Sequence, residues 1–194
     1  MNKNPPLAVT SNGNKTNLRE RYLTLRKSIS VNEVEKSSND ICNQLLNHFN
    51  FSNHNIHLFY PIEGKNEVNT WPIHHKLIAS NQLHTSIYNT ISKQWDCIFF
   101  DGKAAFVKQR YNVPVPSKFE HGSWDKIDFI LMPLLCFDTN GNRIGYGKGI
   151  YDQIGKHLSK SCIKIGLSIF EAHQNIIETE KHDIPLDFCQ TPLK

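Results

Sequence analysis

The chain has 194 residues, of which 39% are hydrophobic and 21% are charged. This length is typical of one domain that buries roughly 70% of the surface exposed by its unfolded state, and the composition excludes a disordered protein. The formal net charge of +4 favours an anionic ligand such as a nucleotide. The sequence has no run of five basic residues and no apolar stretch of bilayer-spanning length, so neither a nucleic acid nor a membrane is an expected partner.

The cysteines and the N-terminal residues indicate where the protein resides. Five cysteines, at positions 42, 97, 136, 162 and 189, include no C-x-x-C pair, which predicts reduced and mostly buried thiols. Residues 1–14 contain four asparagines and two prolines and have no apolar signal-peptide region. We therefore expect a disordered leader, one folded domain over residues 15–194 and a cytoplasmic location.

Two amphipathic helices begin the folded part. The first has apolar residues at helical spacing, namely Leu18, Tyr22, Leu25 and Ile29. The basic residues predicted to lie off that apolar face are Lys15, Arg19 and Arg26. The spacing of Ser30 and Glu33 is that of a capping box, which predicts that the second helix begins at Ser30. Its buried stripe is predicted to comprise Val34, Ile41, Leu45 and Leu46.

Strands and helices alternate along the rest of the chain. The predicted strands span residues 55–60, 83–88, 95–100, 127–135 and 162–168, and the apolar run 127–135 is typical of a strand covered on both faces. Thr70 is the predicted N-cap of one helix, and another helix of about ten residues is expected to end near Leu158. Residues 112–117 contain two prolines and are predicted to form a loop. This pattern predicts an α/β fold, a three-layer αβα sandwich with right-handed crossovers and a mostly parallel, Rossmann-like central sheet.

A glycine-rich segment, residues 143–152, is the strongest candidate for a binding site. Its sequence is Arg-Ile-Gly-Tyr-Gly-Lys-Gly-Ile-Tyr-Asp, with a glycine at every second position from 145 to 149. Glycines between a strand and a helix let backbone N–H groups approach phosphate oxygens, and Arg143 and Lys148 add positive charge. The segment indicates a phosphate cradle, although a lone G-x-G is more often a flexible turn. Its spacing matches neither the P-loop nor the dinucleotide motif.

Residues 128–152 as a whole resemble the 5-formyltetrahydrofolate cyclo-ligase family. Residues 15–19 are similar to the K-x-x-L-R helix of that family, and residues 67–70 match its E-[VI]-x-T loop. Residues 182–187, His-Asp-Ile-Pro-Leu-Asp, resemble its C-terminal H-D element. These matches follow the family's order over nearly the whole folded chain.

The resemblance implies an enzyme that uses ATP and Mg²⁺ to convert 5-formyltetrahydrofolate into 5,10-methenyltetrahydrofolate. ATP phosphorylates the formyl oxygen, N10 attacks the activated carbon and phosphate leaves, so no nucleophilic side chain is expected. The resemblance places at ATP the residues Lys15, Arg19, Arg143, Gly145, Tyr146, Gly147, Lys148, Gly149, Tyr151 and Asp152. It places at the folate the residues Ile62, Glu67, Tyr146, Gly147, Lys148, Gly149 and Ile150. Asp152 and Asp183 would bind Mg²⁺, and the enzyme is expected to be a monomer.

Two positions depart from the family pattern. Ile150 replaces the first tyrosine of the family's G-Y-Y-D, and Val115 replaces the glutamate of a Glu-Pro pair, which affects folate affinity more than the reaction. Two alternative functions stay open: a non-catalytic paralogue that binds nucleotide or folate, and an RNA-binding protein. Each basic or acidic residue of the predicted site, taken singly, could also be a solvated helix or turn residue.

Overall fold

The computed structural model describes residues 14–193. Within that range the helices are α1 (Lys15–Ser28), α2 (Val31–His48), α3 (Trp71–Leu77) and α4 (Ile150–Ile154). The strands are β1 (Asn55–His57), β2 (Gln82–Asn89), β3 (Gln94–Phe99), β4 (Phe106–Lys108), β5 (Pro114–Pro116), β6 (Glu120–His121), β7 (Phe129–Pro133), β8 (Cys136–Phe137), β9 (Arg143–Ile144), β10 (Ile163–Leu167) and β11 (Phe188–Gln190). The predicted leader lies outside the described residues, except that Asn14 caps α1 by accepting a hydrogen bond from the Thr16 N–H.

Seven of these strands form one sheet in the order β11-β10-β7-β1-β2-β3-β6. The pairings from β11 to β2 are parallel, and β3 and β6 continue the sheet in antiparallel orientation. The prediction of an α/β fold with a mostly parallel central sheet is therefore confirmed. The small pairs β4-β5 and β8-β9 lie outside this sheet.

Strand β7 shows why the sheet lies between two apolar layers. Phe129 and Leu131 belong to the core cluster that α2 and α3 cover, whereas Ile130 and Met132 belong to the cluster beneath α4. Because successive side chains of a strand point to opposite faces, this continuous apolar run requires cover on both sides. The structure confirms that prediction, although β7 is shorter than the predicted strand 127–135.

Helix α1 packs against β8 and β9 through a third apolar cluster, which includes Leu18 and Tyr22. The placement of Arg26 off the apolar face is wrong, because Arg26 is only 2% exposed, whereas Leu25, predicted to be buried, is 39% exposed. The buried stripe advances by four residues, from Leu18 to Tyr22 to Arg26, and these positions share one helical face. The polar character of arginine had concealed that periodicity.

The caps of the next two helices differ from each other. The capping box of α2 is present, with reciprocal hydrogen bonds between Ser30 and Glu33. Thr70 is the N-cap residue of α3, as predicted, but its hydroxyl donates to the Phe59 carbonyl and makes no capping bond. The Asn69 side chain instead accepts from the Trp71 N–H at 3.1 Å.

Three elements have other bounds than predicted. Strand β1 ends at His57, three residues early. The predicted loop at 112–117 contains β5, whose prolines are tolerated because β5 pairs only with β4. Helix α4 has five residues in place of about ten and ends at Ile154, and a Cβ added at its C-cap Gly155 would lie 1.8 Å from a methyl carbon of Ile184.

The described part of the chain contains five unpaired cysteines, four of them buried, which confirms the prediction of free thiols. Among residues 14–193 no helix is both long and apolar enough to cross a membrane.

Candidate active site

A cavity of about 410 Å³ opens at the carboxyl ends of β1 and β7. This edge of an open α/β sheet is where such folds usually bind ligands. Every predicted site residue lines the cavity: Lys15, Arg19, Ile62, Glu67, Arg143, Gly145, Tyr146, Gly147, Lys148, Gly149, Ile150, Tyr151, Asp152 and Asp183. A larger, more open groove of about 860 Å³ between β3 and α4 contains none of them. Segments that are far apart in the chain thus meet in the smaller cavity.

The two carboxylates predicted to bind metal each contact a predicted phosphate-binding cation. The Arg143 guanidinium donates to Asp152 Oδ1 at 2.7 Å, and the Lys15 ammonium pairs with Asp183. Partial burial opposes ionisation of Asp183, but the Glu180 N–H and Lys15 outweigh it, so the pKa of Asp183 is lowered. Both pairs bring opposite charges together at the cavity wall.

The same two carboxylates fit a magnesium ion on the chemistry of their donors. Mg²⁺ is usually bound by one or two carboxylates together with water and substrate phosphates, so Asp152 and Asp183 are a sufficient protein contribution. In residues 14–193 no group of three or more His, Cys, Asp or Glu side chains is arranged to hold a metal by itself. A metal at this site would need oxygen ligands from a bound molecule.

The glycine segment approaches α1 closely. Arg19 Nε donates to the Gly145 carbonyl at 3.0 Å, and a Cβ at Gly147 would lie 3.2 Å from the Arg19 guanidinium. Gly147 and Gly149 have φ angles of +81° and +62°, in the left-handed region that favours glycine. The segment therefore needs glycine at 147 for both its backbone conformation and its contact with Arg19.

Glu67 is a buried carboxylate at the other side of the cavity. It is 5% exposed and accepts a hydrogen bond from the Ile62 N–H at 2.7 Å. Burial raises its pKa, while that hydrogen bond, Arg26 and the Tyr146 hydroxyl act in the opposite direction. A buried acid with several donors around it is a common feature of a ligand-binding site.

Two residues near the cavity were not predicted as part of the site. Arg26 Nη1 donates to the Tyr146 hydroxyl at 2.9 Å, and its position 26 continues the spacing of Leu18 and Tyr22. That spacing was the signal in the sequence that could have placed Arg26 correctly. Tyr111 lines the cavity at the tip of the β4-β5 hairpin, with its ring centroid 5.5 Å from Lys148 Nζ. Nothing in the local sequence indicates this contact.

A sequence model of the 5-formyltetrahydrofolate cyclo-ligase family matches residues 11–192. The chain belongs to this family. A curated 5-formyltetrahydrofolate cyclo-ligase from Mycoplasma genitalium is 33% identical over 152 residues, covering 76% of the chain and 81% of the relative. The prediction of the family and of a cyclo-ligase enzyme is confirmed.

Solved structures also resemble this cyclo-ligase. The NMR structure of Aquifex aeolicus 5,10-methenyltetrahydrofolate synthetase has a TM-score of 0.76 at 25% identity, covering 91% of the chain and 88% of that protein. A Mycoplasma pneumoniae 5,10-methenyltetrahydrofolate synthetase has the same fold, with a TM-score of 0.70 at 22% identity and coverage of 92% and 99%.

Proposed function

We propose that this cyclo-ligase converts 5-formyltetrahydrofolate and MgATP into 5,10-methenyltetrahydrofolate, ADP and phosphate. The observation that supports this reaction best is that every residue to which the resemblance gives a ligand-binding role lines one cavity. These residues come from α1, the loop after β1, the glycine segment and the C-terminal segment. We also propose that the protein acts as a cytoplasmic, single-domain monomer without a nucleic-acid partner.

The nucleotide phosphates would be held by the glycine segment and the cations beside it. Lys15, Arg19 and Arg143 supply positive charge, and the peptide N–H groups of residues 145–149 supply donors. Asp152 and Asp183 would hold the metal ion, which when bound neutralises phosphate charge during phosphoryl transfer. Release of the two carboxylates to the metal would free Arg143 and Lys15 for the phosphates.

The folate would occupy the part of the cavity that Glu67 and Ile62 line. A reduced pterin carries several N–H donors on a flat ring, which suits a buried carboxylate acceptor and aromatic neighbours. Glu67 supplies the acceptor, and Tyr60, Trp95 and Tyr111 supply rings on the cavity wall. In this arrangement the loss of a tyrosine at position 150 leaves other aromatic groups available to the pterin.

The chemistry needs the protein to position groups and to balance charge. A formamide oxygen is a poor leaving group, so its phosphorylation makes the carbon open to attack by N10. The phosphoryl group would pass directly to the substrate, with no phosphorylated side chain as an intermediate. The residues of the site would orient the formyl oxygen toward the γ-phosphate and exclude water.

The test is to incubate the purified protein with 5-formyltetrahydrofolate and MgATP and to follow the methenyl chromophore and ADP. We expect both products in equal amounts, and none when either ATP or Mg²⁺ is omitted. Product without ATP would contradict the reaction. A folded protein that binds both substrates but makes no product would be a non-catalytic paralogue.

A further inference from the structure

Arg26 is a buried cation that lies behind the cavity wall. Arg26 is 2% exposed. Its Nη1 donates to the Tyr146 hydroxyl and its Nη2 donates to the Leu134 carbonyl, while its Nε has no hydrogen-bond partner. The Asn66 amide donates to the Arg26 carbonyl at 3.1 Å and so ties this turn of α1 to the loop that carries Glu67. Burying a charge without an opposite charge nearby is costly, and Glu67 supplies that opposite charge.

The Tyr146 hydroxyl stands between the two charges. It accepts from Arg26, it lines the same cavity as Glu67, and it opposes the rise in the pKa of the Glu67 carboxyl. The charged and titratable groups that face Glu67 come from three parts of the fold: Arg26 of α1, Lys65 of the loop after β1, and Tyr146 and Tyr151 of the glycine segment and α4. Burial raises the pKa of Glu67, and the positive charge of Arg26 opposes that rise.

Resting on the proposed function, we propose that Arg26 is a positioning residue of the folate site, which keeps the Glu67 carboxylate ionised and oriented through the Tyr146 hydroxyl. An ionised carboxylate accepts hydrogen bonds at both oxygens, whereas a neutral acid donates one and would oppose an N–H of the pterin. Arg26 does not line the cavity itself, so its effect on the folate passes through Tyr146 and Glu67.

The experiment compares Arg26→Gln and Arg26→Lys with Arg21→Gln as the matched control, since Arg21 is an exposed arginine of the same helix. The dissociation constant of 5-formyltetrahydrofolate is measured by calorimetry without ATP, across the pH range in which the protein stays folded. Without the cation, Glu67 takes up a proton at higher pH. We therefore expect the acid limit of binding in Arg26→Gln to move upward by about one pH unit, which is about tenfold weaker binding on that limb.

Binding by Arg26→Gln should return to within about threefold of the parent at the alkaline end, where Glu67 is ionised in both proteins. Arg26→Lys should keep the acid limit of the parent because it retains the charge, and Arg21→Gln should not change it. A loss of affinity in Arg26→Gln that is equal at every pH would overturn the proposal, because it would indicate a purely structural role.

Tyr146→Phe tests the connection from Arg26 to Glu67 without removing the buried charge of Arg26. This variant is needed if Arg26→Gln does not fold. The acid limit should again move upward, and an unchanged limit in folded Tyr146→Phe would overturn the proposal. If the parent does not bind 5-formyltetrahydrofolate at any pH, the proposed function fails together with this inference. If the parent binds and only the shifts are missing, the inference alone fails.

Discussion

Removing a carboxylate at Asp152 or Asp183 should change nucleotide affinity in opposite directions with and without metal. Each carboxylate pairs with a cation proposed for phosphate, and the Arg143 and Asp152 side chains are only 8% and 18% exposed. A nucleotide without metal must compete with Asp152 for Arg143. A nucleotide with metal gives the carboxylate a new partner and leaves the guanidinium to the phosphate.

The geometry sets the size of the effect for Asp152→Asn. The hydrogen bond from Arg143 is 2.7 Å long and charge-assisted. Such bonds contribute about 1.5–3 kcal/mol, about twice a neutral bond, so replacing the carboxylate by an amide should release about 1.4 kcal/mol for the phosphate. Metal-free nucleotide should therefore bind about tenfold more tightly. In excess Mg²⁺ the same variant should bind at least about tenfold more weakly, because a metal ligand is lost.

The assay is calorimetric titration with a non-hydrolysable ATP analogue, in a chelator and then in excess Mg²⁺. Removing any acid near the site favours anion binding somewhat through the lost negative charge alone. The double variant with Arg143→Gln distinguishes this general effect from the release of Arg143. The gain without metal should vanish in that background, because Asp152 acts by engaging Arg143. Metal-free binding that is no tighter in Asp152→Asn than in the parent would refute the exchange of partners.

Three further predictions concern the aromatic wall, one glycine and one buried histidine. Tyr111→Ala should raise the Michaelis constant for 5-formyltetrahydrofolate by about tenfold and that for ATP by less than about twofold, and equal effects on both would contradict its place at the folate. Gly141→Ala should lower the free energy of unfolding, measured in urea, by more than about 2 kcal/mol, since its φ is +80° and an added Cβ would lie 2.5 Å from a backbone carbonyl oxygen. Gly64→Ala should reduce the free energy of unfolding by less, because Gly64 has a similar φ of +73° but open space around the added Cβ. An equal loss in both variants would show that the clash at position 141 does not contribute. Burial lowers the pKa of His57 to about 3, so only the unfolded chain takes up this proton as the pH falls from 6.5 toward 3. His57→Leu should therefore lose less stability than the parent over that interval, and identical acid-unfolding curves for the two proteins would refute this role of His57.

The sequence predicted which residues line one cavity better than it predicted the bounds of the elements around them. Residues 143–152, Glu67 and Asp183 could be placed together because short motifs in a fixed order identify a family whose fold brings them to one cavity. The strand at 127–135 was predictable because a continuous apolar run has few other structures available. The proline-rich strand β5 was not, because pairing outside the main sheet depends on β4 and not on its own composition.

Tyr111 shows a limit of local reasoning. It and Asn112 have φ angles of +62° and +60°, a conformation that non-glycine residues rarely adopt. Hydrogen bonds within the hairpin close this turn, from the Asn112 N–H to the Gln109 carbonyl and from the Val113 N–H to the Arg110 carbonyl. Tyrosine is not among the residues that usually mark such a turn, so the sequence of this segment did not predict it.

Helix α1 connects the two ends of the proposed site. Lys15 and Arg19 line the proposed nucleotide end, and Arg26 contacts Tyr146 behind the proposed folate end. The eleven steps from Lys15 to Arg26 span about 16 Å at 1.5 Å per residue, and spacings of four and seven residues keep all three side chains on one helical face. Since each residue rotates the helix by about 100°, no insertion of one residue between Arg19 and Arg26 could keep both ends in register. The burial of Leu18 and Tyr22 against β8 and β9 holds that face toward the cavity, so a short apolar stripe orients the basic side chains proposed for both substrate sites.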